Sequence, residues 1–146
     1  MSEQIIDRHA FGLERPQVLS VEGNSASGGP AEEHAYWSAS FGVDNDDAGV
    51  SYVVIATLHI ADEYGNATVT IGGTFRPLWE IDDSDVENLI VLVKNSAALQ
   101  LLFDFAASSM NSVCSLANIS LEVPLSMEAE VEHFNEEQDP DSTTDD

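Results

Sequence analysis

Val50-Ser51-Tyr52-Val53-Val54-Ile55-Ala56-Thr57-Leu58-His59-Ile60-Ala61-Asp62-Glu63-Tyr64-Gly65-Asn66 is the stretch that decides the fold. In an extended chain Val50, Tyr52, Val54, Ala56, Leu58 and Ile60 line one face, and Val53 and Ile55 make the other face apolar too. A strand apolar on both faces belongs in the middle of a sheet. Asp62 to Asn66 then supply turn chemistry, and beyond them Val69, Ile71, Gly73, Phe75 and Trp79 alternate with Thr68, Thr70, Gly72, Thr74 and Arg76. That pattern predicts a hairpin, with the Gly72-Gly73 pair marking a bulge or bend.

Toward the N-terminus, Trp37, Ala39, Phe41 and Val43 alternate with Ser38, Ser40 and Gly42, the period of a half-buried strand. Asp44-Asn45-Asp46-Asp47-Ala48-Gly49 turns the chain between this strand and the central one. Residues 22–35, rich in Gly, Ser and Asn, read as a loop. Residues 9–21 read as a first strand. Proline cannot donate to a ladder, so Pro16 places that strand at an edge or at a bulge.

Toward the C-terminus the apolar period lengthens. Ser84-Asp85-Val86-Glu87 has the form of a capping box and opens a short helix through Leu89, Ile90 and Val93. Ser96 can cap a second helix, in which Leu99, Leu102, Phe103, Ala106, Met110, Val113 and Ala117 form a stripe opposite Gln100, Asp104, Ser108, Asn111 and Ser115. Ile119, Leu121 and Val123 read as a final extended segment. The reading is therefore α+β, with a flexible N-terminus over residues 1–8, one domain over 9–127 and an acidic tail over 128–146. Self-repulsion extends residues 135–146 of that tail, while Val131 and Phe134 can rest on the domain.

Composition limits function more than it defines it. The chain has 146 residues, 43% of them hydrophobic, which suits one domain with a full core. Four Lys+Arg against 27 Asp+Glu give a formal charge of -23, a field that repels nucleic acid and anionic membranes. No apolar run approaches the roughly 20 residues that span a bilayer. Cys114 is the single cysteine, so no intramolecular disulfide forms, and the N-terminal residues have no leader pattern; the expected location is cytoplasmic.

Chemistry-bearing constellations are missing. His9, His34, His59 and His133 show no close pairing in sequence, which argues against a metal site. Asp44-x-Asp46-x-Ala48-Gly49 begins like a calcium loop, but Ala48 offers no ligand at the fifth position and Ile55 stands where a bidentate glutamate is needed. Cys114 sits beside Val113 on the apolar side of a helix, as a buried inert thiol does. No catalytic residue, cofactor or metal is expected, and the chain reads as a binding protein rather than an enzyme.

Three segments carry a resemblance: Gly73-Thr74-Phe75-Arg76-Pro77-Leu78-Trp79-Glu80-Ile81, Leu101-Leu102-Phe103-Asp104-Phe105-Ala106, and Ile119-Ser120-Leu121-Glu122-Val123-Pro124. Over roughly residues 10–125 the chain resembles the SecB family of export chaperones, including those associated with toxin-antitoxin systems. The resemblance implies a four-stranded antiparallel sheet with two helices packed on one face, assembled as a homotetramer, a dimer of dimers. It also implies binding of unfolded or nascent polypeptide, in protein export or in toxin-antitoxin control, with a translocase motor or a toxin-antitoxin component as a further partner. A holdase needs exposed aromatic and aliphatic surface that adapts to many sequences. Trp37, Ala39, Phe41 and Val43, facing Phe103 and Phe105 of the second helix, are the candidates for that surface. The alternative is an acidic adaptor that docks one basic folded partner.

Overall fold

The computed structural model describes residues 9–25, 33–44, 47, 49–63, 65–81 and 84–134. The chain runs β1 (Phe11–Ser25), β2 (His34–Val43), β3 (Tyr52–Asp62), β4 (Gly65–Pro77), α1 (Val86–Lys94), α2 (Ala97–Ala117) and β5 (Glu130–His133). The strands form one mixed sheet in the order β1-β4-β3-β2-β5. β3 is central, as its two apolar faces require, and the hairpin between β3 and β4 closes with Asp62 opposite Gly65.

The expectation of four antiparallel strands is corrected. A fifth strand, β5, adds to the free edge of β2 in parallel, pairing Ser38 with Glu130 and Phe41 with His133. The segment assigned to the acidic tail is thus part of the sheet up to His133, and Phe134 continues the contact through a backbone bond from its N–H to the Phe41 carbonyl. The extended mobility expected of residues 135–146, like the flexible residues 1–8, lies outside the described residues.

β1 is longer than its sequence reading and carries the irregularity that Pro16 announces. Its register against β4 shifts between Glu14 and Gln17, leaving Arg15 and Pro16 opposite Gly73. Arg15 takes φ +53, the left-handed region that an L-residue adopts only under constraint. The Gly72-Gly73 pair is therefore not itself bulged. It lies opposite the bulge, and a Cβ on Gly73 would meet Leu13 at 2.9 Å, so glycine there admits a close approach of β1.

The helices cover one face of the sheet. α1 begins one residue later than the capping box suggests, with Asp85 as N-cap accepting from the Asn88 N–H at 3.3 Å. Ser96 caps α2 as its sequence predicts, accepting from the Leu99 N–H at 3.2 Å. α2 ends on Asn118, held at φ 61, with the Ile119 N–H returning to the Cys114 carbonyl at 2.8 Å. Leu99, Leu102, Phe103, Ala106, Met110 and Cys114 of α2 and Leu89, Leu92 and Val93 of α1 are buried with Trp37, Ala39 and Phe41 of β2 and the inward residues of β3 and β4 in one core. Ile119, Leu121 and Val123 form no strand; Ile119 is buried and the other two pack against the core.

Candidate functional site

Of the six residues proposed to meet a client, four are inside the protein. Trp37 is 2% exposed and stacks edge-on against Phe103, with ring centroids 5.2 Å apart. Phe41 is fully buried between Tyr52 and His133, at 6.0 and 5.0 Å, and Ala39 and Phe103 are buried as well. The alternation in β2 is real, but its apolar face points under the helices instead of outward. The face that Trp37, Ala39 and Phe41 share with the inward residues of β3 is the sheet's interior face, and α2 supplies the side chains that cover it. Val43, at the end of β2, and Phe105, on the outer side of α2, are exposed.

Phe105 belongs to a surface that sequence reasoning passed over. Leu101, Phe105, Ser108, Ser112 and Leu116 follow the i, i+4, i+7, i+11, i+15 spacing that puts them on one outer face of α2. Leu116 is 89% exposed and Leu125, across from it, is 92% exposed. Between α2 and the segment that follows it runs a groove of about 770 Å³, lined by the apolar Ala107, Leu116, Val123, Pro124 and Leu125 and by the polar Asp104, Ser108, Asn111, Ser112 and Ser115. Asp104 is the single charged residue of α2. In a chain of net charge -23 a helix of 21 residues with one charge is the signal that marks this face.

The outer face of the sheet is also partly apolar. Tyr36 and Ile55 are exposed there, and Leu19 of β1 lies over Gly72. His34 and His59 meet at 4.7 Å between ring centroids, Tyr36 stacks on His59 at 5.2 Å, and His59 Nδ1 is 2.7 Å from Thr68 Oγ1. Burial, and then the neighbouring His34, hold the His59 imidazole below its usual pKa of 6.5. Two histidines without a third ligand do not make a metal centre, and among the described residues no group of three or more His, Cys, Asp or Glu is placed to hold a metal ion. Cys114 is buried, and that burial, followed by the charge of Asp62, pushes its thiol pKa up, away from the reactive thiolate.

The free edge of β2 is the third feature. β5 covers it with Val131 half-buried and with Glu130 and Glu132 exposed. Phe134 sits over Gly42, where a Cβ would lie 2.6 Å from its ring.

No family model and no curated protein sequence matches the chain. Its fold is similar to that of a SecB-like chaperone from Mycobacterium tuberculosis, solved in complex with a ChAD peptide from the HigA1 antitoxin. The TM-score is 0.50 at 12% sequence identity, over 81% of this chain and 88% of that one. The chain therefore has a SecB-like fold, α+β, with a five-stranded mixed sheet and two helices.

Proposed function

We propose that this chain is a SecB-like chaperone that binds unfolded or nascent polypeptide and holds it without chemistry. The observation that carries the reading is the outer face of α2, where Leu101, Phe105 and Leu116 are exposed beside a groove of mixed apolar and polar lining, with one charge on an otherwise strongly anionic molecule. Unfolded chains offer scattered apolar side chains in no fixed order, and a shallow surface of Leu101, Phe105, Leu116, Val123 and Leu125 accepts them without demanding one sequence. The fold is one on which a related architecture holds an antitoxin peptide, which supports a peptide segment as the ligand here. Val43 and Phe105 remain client-binding candidates, since both are accessible.

The same reading includes assembly into a homotetramer. The exposed Tyr36 and Ile55 on the outer sheet face are apolar surface that a second copy would cover. The test is suppression of aggregation of several unrelated denatured proteins, together with light scattering after gel filtration. A holdase protects all of them at ratios near one client per assembly. An acidic adaptor ignores them and binds one native basic protein with steep salt dependence. A monomer at micromolar concentration removes the tetramer from the reading.

A further inference from the structure

β5 is bound to the sheet as a short peptide binds to a strand edge. It has four residues, runs parallel to β2, and joins the sheet from the far end of the chain. Parallel pairing is the weaker kind per residue, and a ladder this short contributes few hydrogen bonds. Glu130 and Glu132 face solvent. The ion pair at its entry, Lys94 with Glu128 at 3.4 Å, is exposed and contributes little. Three side chains act as anchors. Val131 and His133 are half-buried on the face of the sheet that they share with Ala39 and Phe41, the His133 ring centroid 5.0 Å from that of Phe41, and Phe134 rests in the space that Gly42 leaves open while remaining 45% exposed. Main-chain pairing with alternate side chains seated in recesses is the mode by which sheet edges capture extended polypeptide.

We infer that β5 and Phe134 are an internal ligand occupying a second polypeptide-binding site, formed by the edge of β2 and the recess over Gly42. When the segment leaves, the edge takes an extended client segment with an aliphatic residue followed three positions later by an aromatic one, as in Val131-Glu132-His133-Phe134. Glu130 and Glu132 hold two carboxylates, exposed and without an ion-pair partner in the segment, against a strongly anionic chain, a repulsion that a neutral or basic client segment does not suffer. The edge is thus shielded from chance pairing when no client is present, and yields to one that fits. This inference rests on the reading that the chain binds unfolded polypeptide.

Three measurements on the full chain test it, with reduced, carboxymethylated α-lactalbumin as client. Hydrogen exchange of the wild-type protein should show the amides of residues 130–134 losing protection on client binding, while those of β3 and β4 keep theirs. The double substitution Val131→Ser and Phe134→Ser should tighten client binding about tenfold, equivalent to roughly 1.4 kcal/mol. A fluorescent synthetic peptide of residues 127–134 should bind that variant in trans and bind the wild type at least tenfold more weakly. Unchanged protection of residues 130–134 with client bound overturns the inference while leaving the chaperone reading intact. A double variant that binds client no better than wild type does the same. If neither protein binds denatured client, the chaperone reading fails and the peptide in trans decides alone. Binding to the variant then preserves an exchangeable edge, and no binding removes it.

Discussion

Trp37→Ala separates a core residue from a client-contacting one. Trp37 is 2% exposed and packs edge-on against Phe103, itself buried under the sheet. Truncating a buried aromatic costs about 3–5 kcal/mol, and an edge-to-face pair adds about 0.5–1.5 kcal/mol beyond the area it buries. Domains of this size have about 5–15 kcal/mol in all, so the variant loses a large part of its stability. With a urea slope of about 2 kcal/mol per molar, a loss of about 4 kcal/mol lowers the unfolding midpoint by roughly 2 M. The assay is urea unfolding followed by far-ultraviolet circular dichroism, since the remaining Trp79 is partly exposed and would report poorly by fluorescence. Leu116→Ser is the control, because that side chain is 89% exposed and its loss should stay within about 0.5 kcal/mol. A Trp37→Ala midpoint within about 0.3 M of wild type, combined with lost client binding, would refute the placement of Trp37 in the core.

Leu101→Ser with Leu116→Ser should weaken client binding while leaving the urea midpoint nearly unchanged, as read by fluorescence anisotropy of a labelled denatured client. Asn118→Ala should cost about 1 kcal/mol, because alanine is strained in the left-handed region that ends α2, whereas Asn118→Gly should not; thermal unfolding distinguishes them. His59 has a folded-state pKa below 6.5, so it has no effect on stability at higher pH. As the pH falls below 6.5 the unfolded chain takes the proton first, and stability drops until the folded pKa is passed. His59→Gln should flatten that part of the profile, measured as urea midpoints of both proteins between about pH 7.5 and 5. Cys114 should resist a thiol reagent in the native protein and react promptly in urea, because its thiol is buried and raised in pKa.

Most of the architecture is local and therefore legible. Alternation in Trp37 to Val43, in Tyr52 to Ile60 and in Thr68 to Phe75, the turn at Asp62 to Asn66, and the Ser96 cap each depend on neighbours within a few residues. Pro16 likewise reports its bulge directly. β5 was hidden because Glu-Val-Glu-His offers one apolar side chain among carboxylates, and its partners are Ser38 to Phe41, far away in sequence. The client candidates failed for a related reason. A period of two says that Trp37 and Phe41 share a face, but which layer covers that face is a tertiary fact. The outer face of α2 is marked in the sequence only by the single charge of a 21-residue helix in a highly charged chain, a weaker signal than the periodic buried stripe on its other side.

The strand order also says when each part of the sheet can form. β2, β3 and β4 are an uninterrupted meander whose pairings close over short loops, so they can assemble quickly and early. The two outer strands pair over longer separations, β1 with β4 across the whole meander and β5 with β2 only after both helices. Loosening β1 or β5 should then raise the unfolding rate and leave the refolding rate almost unchanged, whereas substitutions in β3 should slow refolding. A protein built this way has its framework in place before its borders are set, and a segment that follows both helices decides whether the edge of β2 is covered.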